Sequence, residues 1–191
     1  MTEPEFVIAR LPEHHSPLLS LNVGYMSWLF TEMDKTFAIR CTDVVGMSAA
    51  EYASSLLDKI CAVAPPNGIF YLVRVRGKFS AMGGLHRLSA ETAEIKRIYV
   101  QPDCRGGKLG TLIVDRLLAD AANFGYSKVL LESAPFMRAA QRIYEAAGFT
   151  DRPPYTDAEV PEAFYERWRF MERSLAQHSE GGNANSEGSV S

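Results

Sequence analysis

The 191-residue chain has little cysteine and no excess of either charge, with three Cys in all and 20 Lys and Arg against 23 Asp and Glu, a net charge of −3. Cys41, Cys61 and Cys104 are odd in number and far apart, with neither CxxC spacing nor a histidine cluster beside them. That pattern offers no zinc site and points to a reducing interior. The near-neutral balance removes the basic excess by which a general nucleic-acid or acidic-membrane binder gains counterion free energy. Long apolar runs are also missing. The most apolar stretch, residues 16–30, is broken by Ser20, Asn22, Gly24 and Ser27 and falls short of the roughly 20 apolar residues that cross a bilayer. The first six residues carry Glu3 and Glu5 where a targeting signal carries basic side chains. Together these absences predict a cytoplasmic protein with no nucleic-acid and no membrane partner.

What is present is an ordinary globular composition, 47% hydrophobic and 23% charged, which excludes disorder over the whole chain, a collagen-like fibre and a coiled coil. At roughly 150 residues per domain, the length allows one domain and a remainder. The remainder is legible: from Ser174 the sequence turns to Ser, Gly, Asn and Glu, which cannot offset their ordering entropy by burial. The reading is a domain over 1–173 and a disordered tail over 174–191. No internal repeat is visible.

Within the domain, residues 6–11 (FVIARL) read as a strand, and residues 16–30 and 48–62 as helices, the second with a Ser48 cap and Glu51 at its third position. The β-branched and aromatic run 69–75, the turn Arg76-Gly77-Lys78 and residues 79–88 form a hairpin, and 94–100 (EIKRIYV) is a third strand. Leu109, Leu112, Ile113, Leu117, Ala121 and Phe124 then recur at helical spacing until Gly125. A short strand over 128–131, a helix with Ala140, Ile143, Tyr144 and Ala147 in its stripe, and a last strand over 164–171 complete the order. His14 and His15 read as surface loop residues. The class is α/β, more fully an α+β mixed sheet: mostly antiparallel, with about six or seven strands and about four flanking helices.

The informative segment is residues 100–111 (VQPDCRGGKLGT), which leaves a strand and opens an amphipathic helix. Glycines let backbone amides approach a ligand, and a helix N-terminus adds about half a positive charge and unpaired N–H donors, so the loop suits a phosphate or pyrophosphate. A P-loop fails, because Lys108 stands at the wrong spacing from the glycines. A dinucleotide fold fails too, because the loop follows an antiparallel run. A Gly-rich tight turn without a ligand remains the plain alternative.

These residues resemble the GNAT superfamily of acyl-CoA-dependent N-acetyltransferases. The resemblance rests on the strand EIKRIYV, the Val-x-Pro-x-x-Arg-Gly-x-x-x-Gly loop and the run of Ala140, Tyr144, Gly148 and Phe149, and it is strongest over 94–149. Two positions depart from the family pattern: Lys108 stands where the loop commonly has Gly, with Gly107 one place earlier, and Met137 where an Asn is often found. The resemblance implies a GNAT-like fold with acetyl-CoA as co-substrate and no metal. It implies a pyrophosphate over Arg105, Gly106, Gly107, Lys108, Leu109, Gly110 and Thr111, and a pantetheine arm beside Ile98, Tyr99 and Val100.

Acyl transfer to an amine poses two proton problems. With an amine pKa of about 10.4, deprotonation at pH 7 costs roughly 4–5 kcal/mol, and the departing thiolate leaves more easily if protonated. By the resemblance, Glu94 is the candidate base, directly or through water, and Tyr144 the candidate acid. The plain alternatives are a strand Glu paired with Lys96 on the same face, and an aromatic in a core stripe. Glu132, at a strand end, is a candidate second base. His86 and Cys104 rank lower, and direct transfer needs no cysteine nucleophile.

For the acceptor, Tyr25, Trp28, Phe30 and Tyr52 with the loop 153–161 are expected over the amine site, with Tyr25, Trp28, Arg97 and Glu132 as its leading contacts. Arg74, Lys96 and Arg97 make an amino-acid-like amine attractive, although strand alternation leaves open which of them point inward. The leading expectation is acetylation of a small-molecule primary amine by a monomer or homodimer. A protein lysine or N-terminal acetyltransferase and a non-catalytic acyl-CoA sensor are the rivals.

Overall fold

The β-branched and aromatic run after Pro65-Pro66 forms the centre of the sheet in the computed structural model, which describes residues 3–176. β2 (Gly68–Val75) turns through Arg76-Gly77 into β3 (Lys78–Arg87), and β4 (Thr92–Val100) lies antiparallel to β3. These strands are covered on both faces, so they read as nearly continuous apolar runs rather than as alternation. β1 (Glu5–Ile8) borders β2, while β5 (Lys128–Ser133) runs parallel to β4. β7 (Arg169–Ser174) and β6 (Thr150–Arg152) complete the order β1-β2-β3-β4-β5-β7-β6. One parallel pair among antiparallel ones gives the mixed sheet expected.

Helices cover both faces. α1 (His15–Phe37) and α4 (Leu57–Cys61) send Leu18, Leu21, Leu57 and Ile60 onto Phe70, Leu72 and Met82. On the other face, α5 (Leu109–Asn123) and α6 (Arg138–Ala146) pack Ile113, Leu117 and Tyr144 onto Tyr71, Ile95 and Leu131. Arg116 and Asp120 of α5 tie it to β2, since the Tyr71 hydroxyl donates to Asp120 Oδ2 at 2.8 Å and accepts from Arg116 Nη2 at 2.8 Å.

Several boundaries differ from the sequence reading. α1 runs on to Phe37, because nothing after residue 30 breaks it until Ala38 adopts a left-handed conformation. A short α2 (Cys41–Val45) follows, and the helix expected over 48–62 is divided at Leu56 into α3 (Ala49–Ser55) and α4. The described residues therefore hold six α-helices rather than about four. The capping box forms as read: Ser48 Oγ accepts the Glu51 amide at 3.2 Å and Glu51 Oε2 the Ser48 amide at 2.8 Å. The expected strand over 164–171 begins as a 3₁₀ turn, Glu162–Arg167, and β7 starts only at Arg169. β6 has three residues, too short to show a period. His14, expected at the surface, is buried, its Nδ1 accepting the Arg10 amide at 3.1 Å. Ser174 pairs with Lys128 and the Leu175 amide bonds Ser127 O at 2.8 Å, so the sheet extends past the expected domain end at 173. Residues 177–191 of the expected tail lie outside the described residues.

Gly83 controls how closely α5 approaches the sheet. A Cβ there would stand 2.7 Å from Ile113 Cγ2 and 3.2 Å from Ile98 Cγ1, in a fully buried layer. Gly83→Ala is therefore expected to cost about 1–3 kcal/mol by overpacking, read as a lower urea midpoint at unchanged slope. A midpoint equal to that of the wild type would show that α5 does not depend on this approach.

Candidate active site

The site begins where a ladder stops. β4 pairs with β5 only over Thr92, Ala93 and Glu94, opposite Lys128, Val129 and Leu130. β4 then runs on to Val100 and β5 to Ser133, so the two strands part with their facing edges unpaired. A bulge drives the separation. Between Gly84↔Lys96 and Met82↔Tyr99, β4 spends one more residue than β3, and Arg97 sits there at φ 57°. A non-glycine residue in that region costs on the order of 1–3 kcal/mol. The extra residue also resets the alternation, so that Ile95, Ile98 and Val100 all join the α5 face while Tyr99 joins the α1 face.

The gap is a cavity of about 600 Å³, lined from both faces of the sheet. At one end lie Arg105, Gly106, Lys108, Leu109 and Gly110, with Ile98, Tyr99 and Val100 along the strand edge. Gly107 and Thr111, expected to bind the same ligand, lie off its lining. Gly106 at φ 82° and Lys108 at φ 61° turn the chain into α5. No acidic side chain stands in the first turn, and the Lys108 side chain does not cap it. Among the described residues the amides of residues 106–111 find no partner within the fold, which leaves them for an external anion. Arg105 is steadied beside them, its Nε donating to Val100 O at 3.1 Å. The residues present thus fit a coenzyme A diphosphate, and the free edge of β4 fits the amides of a pantetheine arm. Gly110 also allows α6 to approach, since a Cβ there would stand 2.9 Å from Ile143 Cδ1.

Charged groups gather at the other end. Glu94 is fully buried; its Oε1 accepts the Tyr155 hydroxyl at 2.6 Å, and Lys96 Nζ forms an ion pair with its Oε2 at 2.9 Å. Lys96 also reaches Glu159 Oε1 at 3.1 Å, and Arg97 Nη2 lies 3.5 Å from Glu159 Oε2. Glu132, on the same face as Glu94, receives the Val160 amide at 3.3 Å. One loop, residues 153–161, therefore supplies partners to every charged group that the parted strands bury.

Burial pushes the Glu132 carboxyl up to about 7; the Val160 amide opposes this and the Glu94 charge reinforces it. Burial also raises Glu94, against the pull of Lys96 and Tyr155. Glu159 goes the other way: partial burial works upward, but Arg97 and Lys96 outweigh it and hold the carboxyl below its usual range. The Tyr144 hydroxyl is pushed well up by burial, with Tyr25 adding to it, and so stays protonated. Tyr25 is raised to about 12, chiefly by burial.

Glu94, Glu132, Tyr144, Tyr25, Trp28 and Arg97 all line this one cavity. Phe136 and Met137 join them, Phe136 meeting Trp28 edge-on at 5.8 Å. Phe30 and Tyr52, expected over the site, instead pack on each other at 6.1 Å and lie off the lining. Of the basic residues on the central strands, Lys96 and Arg97 point into the site, while Arg74 pairs with Glu5 at 3.0 Å at the far side of the sheet. Cys104 lines the cavity and His86 a neighbouring one. Phe136 carried no sequence signal, and Tyr155 and Glu159 were marked only as part of the loop 153–161 expected over the amine site, not as partners of charged groups. Their segments are aperiodic. Among the described residues, no three His, Cys, Asp or Glu side chains gather to hold a metal, and no helix is long and apolar enough to cross a membrane.

Comparison with known proteins agrees with this geometry. The profile of the family described as acetyltransferase (GNAT) matches residues 33–149. An uncharacterised N-acetyltransferase of Schizosaccharomyces pombe is 32% identical over 105 residues, 54% of this chain and 64% of that protein, so the chain spans under two thirds of that relative. The IAA acetyltransferase of Azospirillum brasilense is 31% identical over 105 residues, 54% of this chain and 67% of its own. Among solved structures, an acetyltransferase from Streptococcus agalactiae superposes with a TM-score of 0.66 at 17% identity, covering 92% of this chain and 100% of that one. The PaiA N-acetyltransferase from Thermoplasma acidophilum, in complex with coenzyme A, gives 0.62 at 14% identity, covering 91% and 100%. The parted strands, the anion-ready helix start and a family match over most of the described chain lead to one conclusion: this protein belongs to the GNAT family of acetyltransferases.

Proposed function

We propose that this chain transfers an acetyl group from acetyl-CoA directly to the primary amine of a small molecule, in the cytoplasm. The observation that carries the reading is that one cavity joins unpartnered helix-start amides to a carboxyl poised near neutrality and a protonated tyrosine. Acetyl-CoA supplies the acetyl group as a thioester, and the acetyl carbon exchanges its bond to sulfur for one to nitrogen. The chain's own residues handle the two protons. A Glu132 oxygen takes the proton of the incoming ammonium, for which a carboxyl pushed up to about 7 is well matched at neutral pH. Tyr144 gives its hydroxyl proton to the departing sulfur, the second proton lost by the acylated nitrogen passes through solvent to restore the tyrosine, and Glu132 releases its own proton to solvent, so that one proton is freed per turnover.

Glu94 was the base expected from the resemblance. Its engagement with Lys96 and Tyr155 favours a different division of labour, in which Glu94 is the fixed charge that helps raise Glu132. The 153–161 loop, whose Tyr155, Glu159 and Val160 crowd this end of the site, supports a small acceptor over a polypeptide. The paired carboxylates and Tyr144 support turnover over mere sensing. The three cysteines are free, in keeping with a reducing compartment.

Calorimetry should detect binding of acetyl-CoA, and Arg105→Gln should weaken it with a reduced salt dependence; no heat with the wild type would overturn the reading. Because Glu132 acts when deprotonated and its pKa is raised, kcat/KM should climb as pH rises through about 7. Glu132→Gln should lower kcat by about a hundredfold or more and flatten that rise. Glu94→Gln, by removing a nearby negative charge, should move the rise to lower pH. If the two variants exchange these behaviours, Glu94 is the base. Tyr144→Phe should reduce kcat by about a hundredfold with little change in KM for acetyl-CoA, and full turnover by this variant would assign the acid elsewhere.

A further inference from the structure

Beyond Lys96, Arg97 and Glu159 lies a second cavity of about 440 Å³, which shares those three residues with the first. Its lining adds Lys59, Arg87 and His86 on one side and Asp157 on the other. Four cations thus face two carboxylates, and burial together with Lys96 pushes the His86 imidazole below its usual pKa, toward the neutral form. The centre of this arrangement is Arg97. Its side chain is only 9% exposed, it donates no hydrogen bond among the described residues, and its Nη1 is wholly buried without a partner. A buried charged donor left unsatisfied is costly, and here the backbone beneath it is strained as well. Its ion-pair partner, Glu159 Oε2 at 3.5 Å from Nη2, belongs to a side chain that is 41% exposed and is shared with Lys96 through Oε1 at 3.1 Å.

We propose that Arg97 is the specificity-determining residue for an acceptor that carries a carboxylate as well as its amine. The second cavity admits this small zwitterion, and Glu159 stands where the acceptor's carboxylate will be. A guanidinium fork binds a carboxylate through two parallel N–H bonds, which would use the donors the fold leaves idle. Arg97 also borders the first cavity together with Glu132 and Glu94. One short molecule can therefore place its anion on the guanidinium and its ammonium toward the carboxylates. The inference rests on the acetyl-transfer reading above, but it concerns only which amines are accepted.

The test uses matched sets of amines, each an amino acid, its carboxamide and its decarboxylated amine. Thiol release at saturating acetyl-CoA is measured alongside direct acceptor binding by saturation-transfer NMR. The carboxylate member of a set should exceed its partners at least tenfold in kcat/KM. Arg97→Gln should raise KM for that member tenfold or more, with a smaller change in kcat, and bring the ratio between members toward one; its thermal midpoint serves as the folding control. Glu159→Gln, a change at a partly exposed position, should lower KM for the carboxylate member severalfold by removing the competing anion. Equal turnover of carboxamides and amino acids, or a raised KM in Glu159→Gln, would overturn this inference and leave acetyl transfer standing. Arg97-dependent binding of carboxylates without acetylation of any amine would do the reverse.

Discussion

Everything at the site follows from the early end of one parallel ladder. β4 and β5 share three residue pairs and then diverge, because the bulge at Arg97 lengthens β4 relative to β3 and turns it away. Polar backbone on the inner edges of both strands is then left without a sheet partner, a cost that a fold accepts only where another group can satisfy it. The same divergence opens the sheet from face to face. It lets α1 contribute Tyr25 and Trp28 from one side, and α5 and α6 contribute Leu109 and Tyr144 from the other.

The two ends of the gap use different electrostatics. Toward α5 the field is a property of the backbone: a helix start with no acidic residue in its first turn, two residues in left-handed conformation, and Arg105 held in place. Such an end suits any diphosphate. At the other end the field is built from side chains, and small differences in surroundings separate similar groups. Glu94, Glu132 and Glu159 are all glutamates near Lys96. Burial works upward on both Glu159 and Glu132, but Glu159 lies between two cations that hold it acidic, whereas Glu132, half-buried with one amide for company, is raised to about 7. That contrast separates the proton affinities of two glutamates within one site.

The 153–161 loop links architecture to chemistry. Tyr155, Glu159 and the Val160 amide each reach a different charged group on β4 or β5, so the loop is fastened by the groups whose ionisation it tunes. The sequence marked this loop as a cover for the amine site, but its lack of period gave no sign of which residues its side chains would meet. A hydrogen bond between residues 94 and 155 leaves no trace in local spacing, and neither does a bulge, whose only sign is a register shift against another strand. The loop from Val100 to Thr111 was legible because its glycines, its basic residues and the helix it opens lie consecutively. The hairpin of β2 and β3 and the stripe of α5 were legible for the same reason, whereas the three-residue β6 and the division of α3 from α4 at Leu56 were not.

The amino-acid order by itself determined the mixed sheet and the anion-ready strand-to-helix turn, which lie in periodic elements or a contiguous motif, and through the family resemblance those motifs carry it marked Glu94, Glu132, Tyr144 and Arg97 as groups of interest. Only the tertiary structure decided their surroundings. The ionisation of Glu132, the confinement of Glu94 and the pairing of Arg97 with Glu159 depend on burial and on partners far away in the chain, such as Tyr155, 61 residues from Glu94. Proton affinity is set by the surroundings a side chain meets in space, and these exist only once the strands have parted and the loop has closed over them.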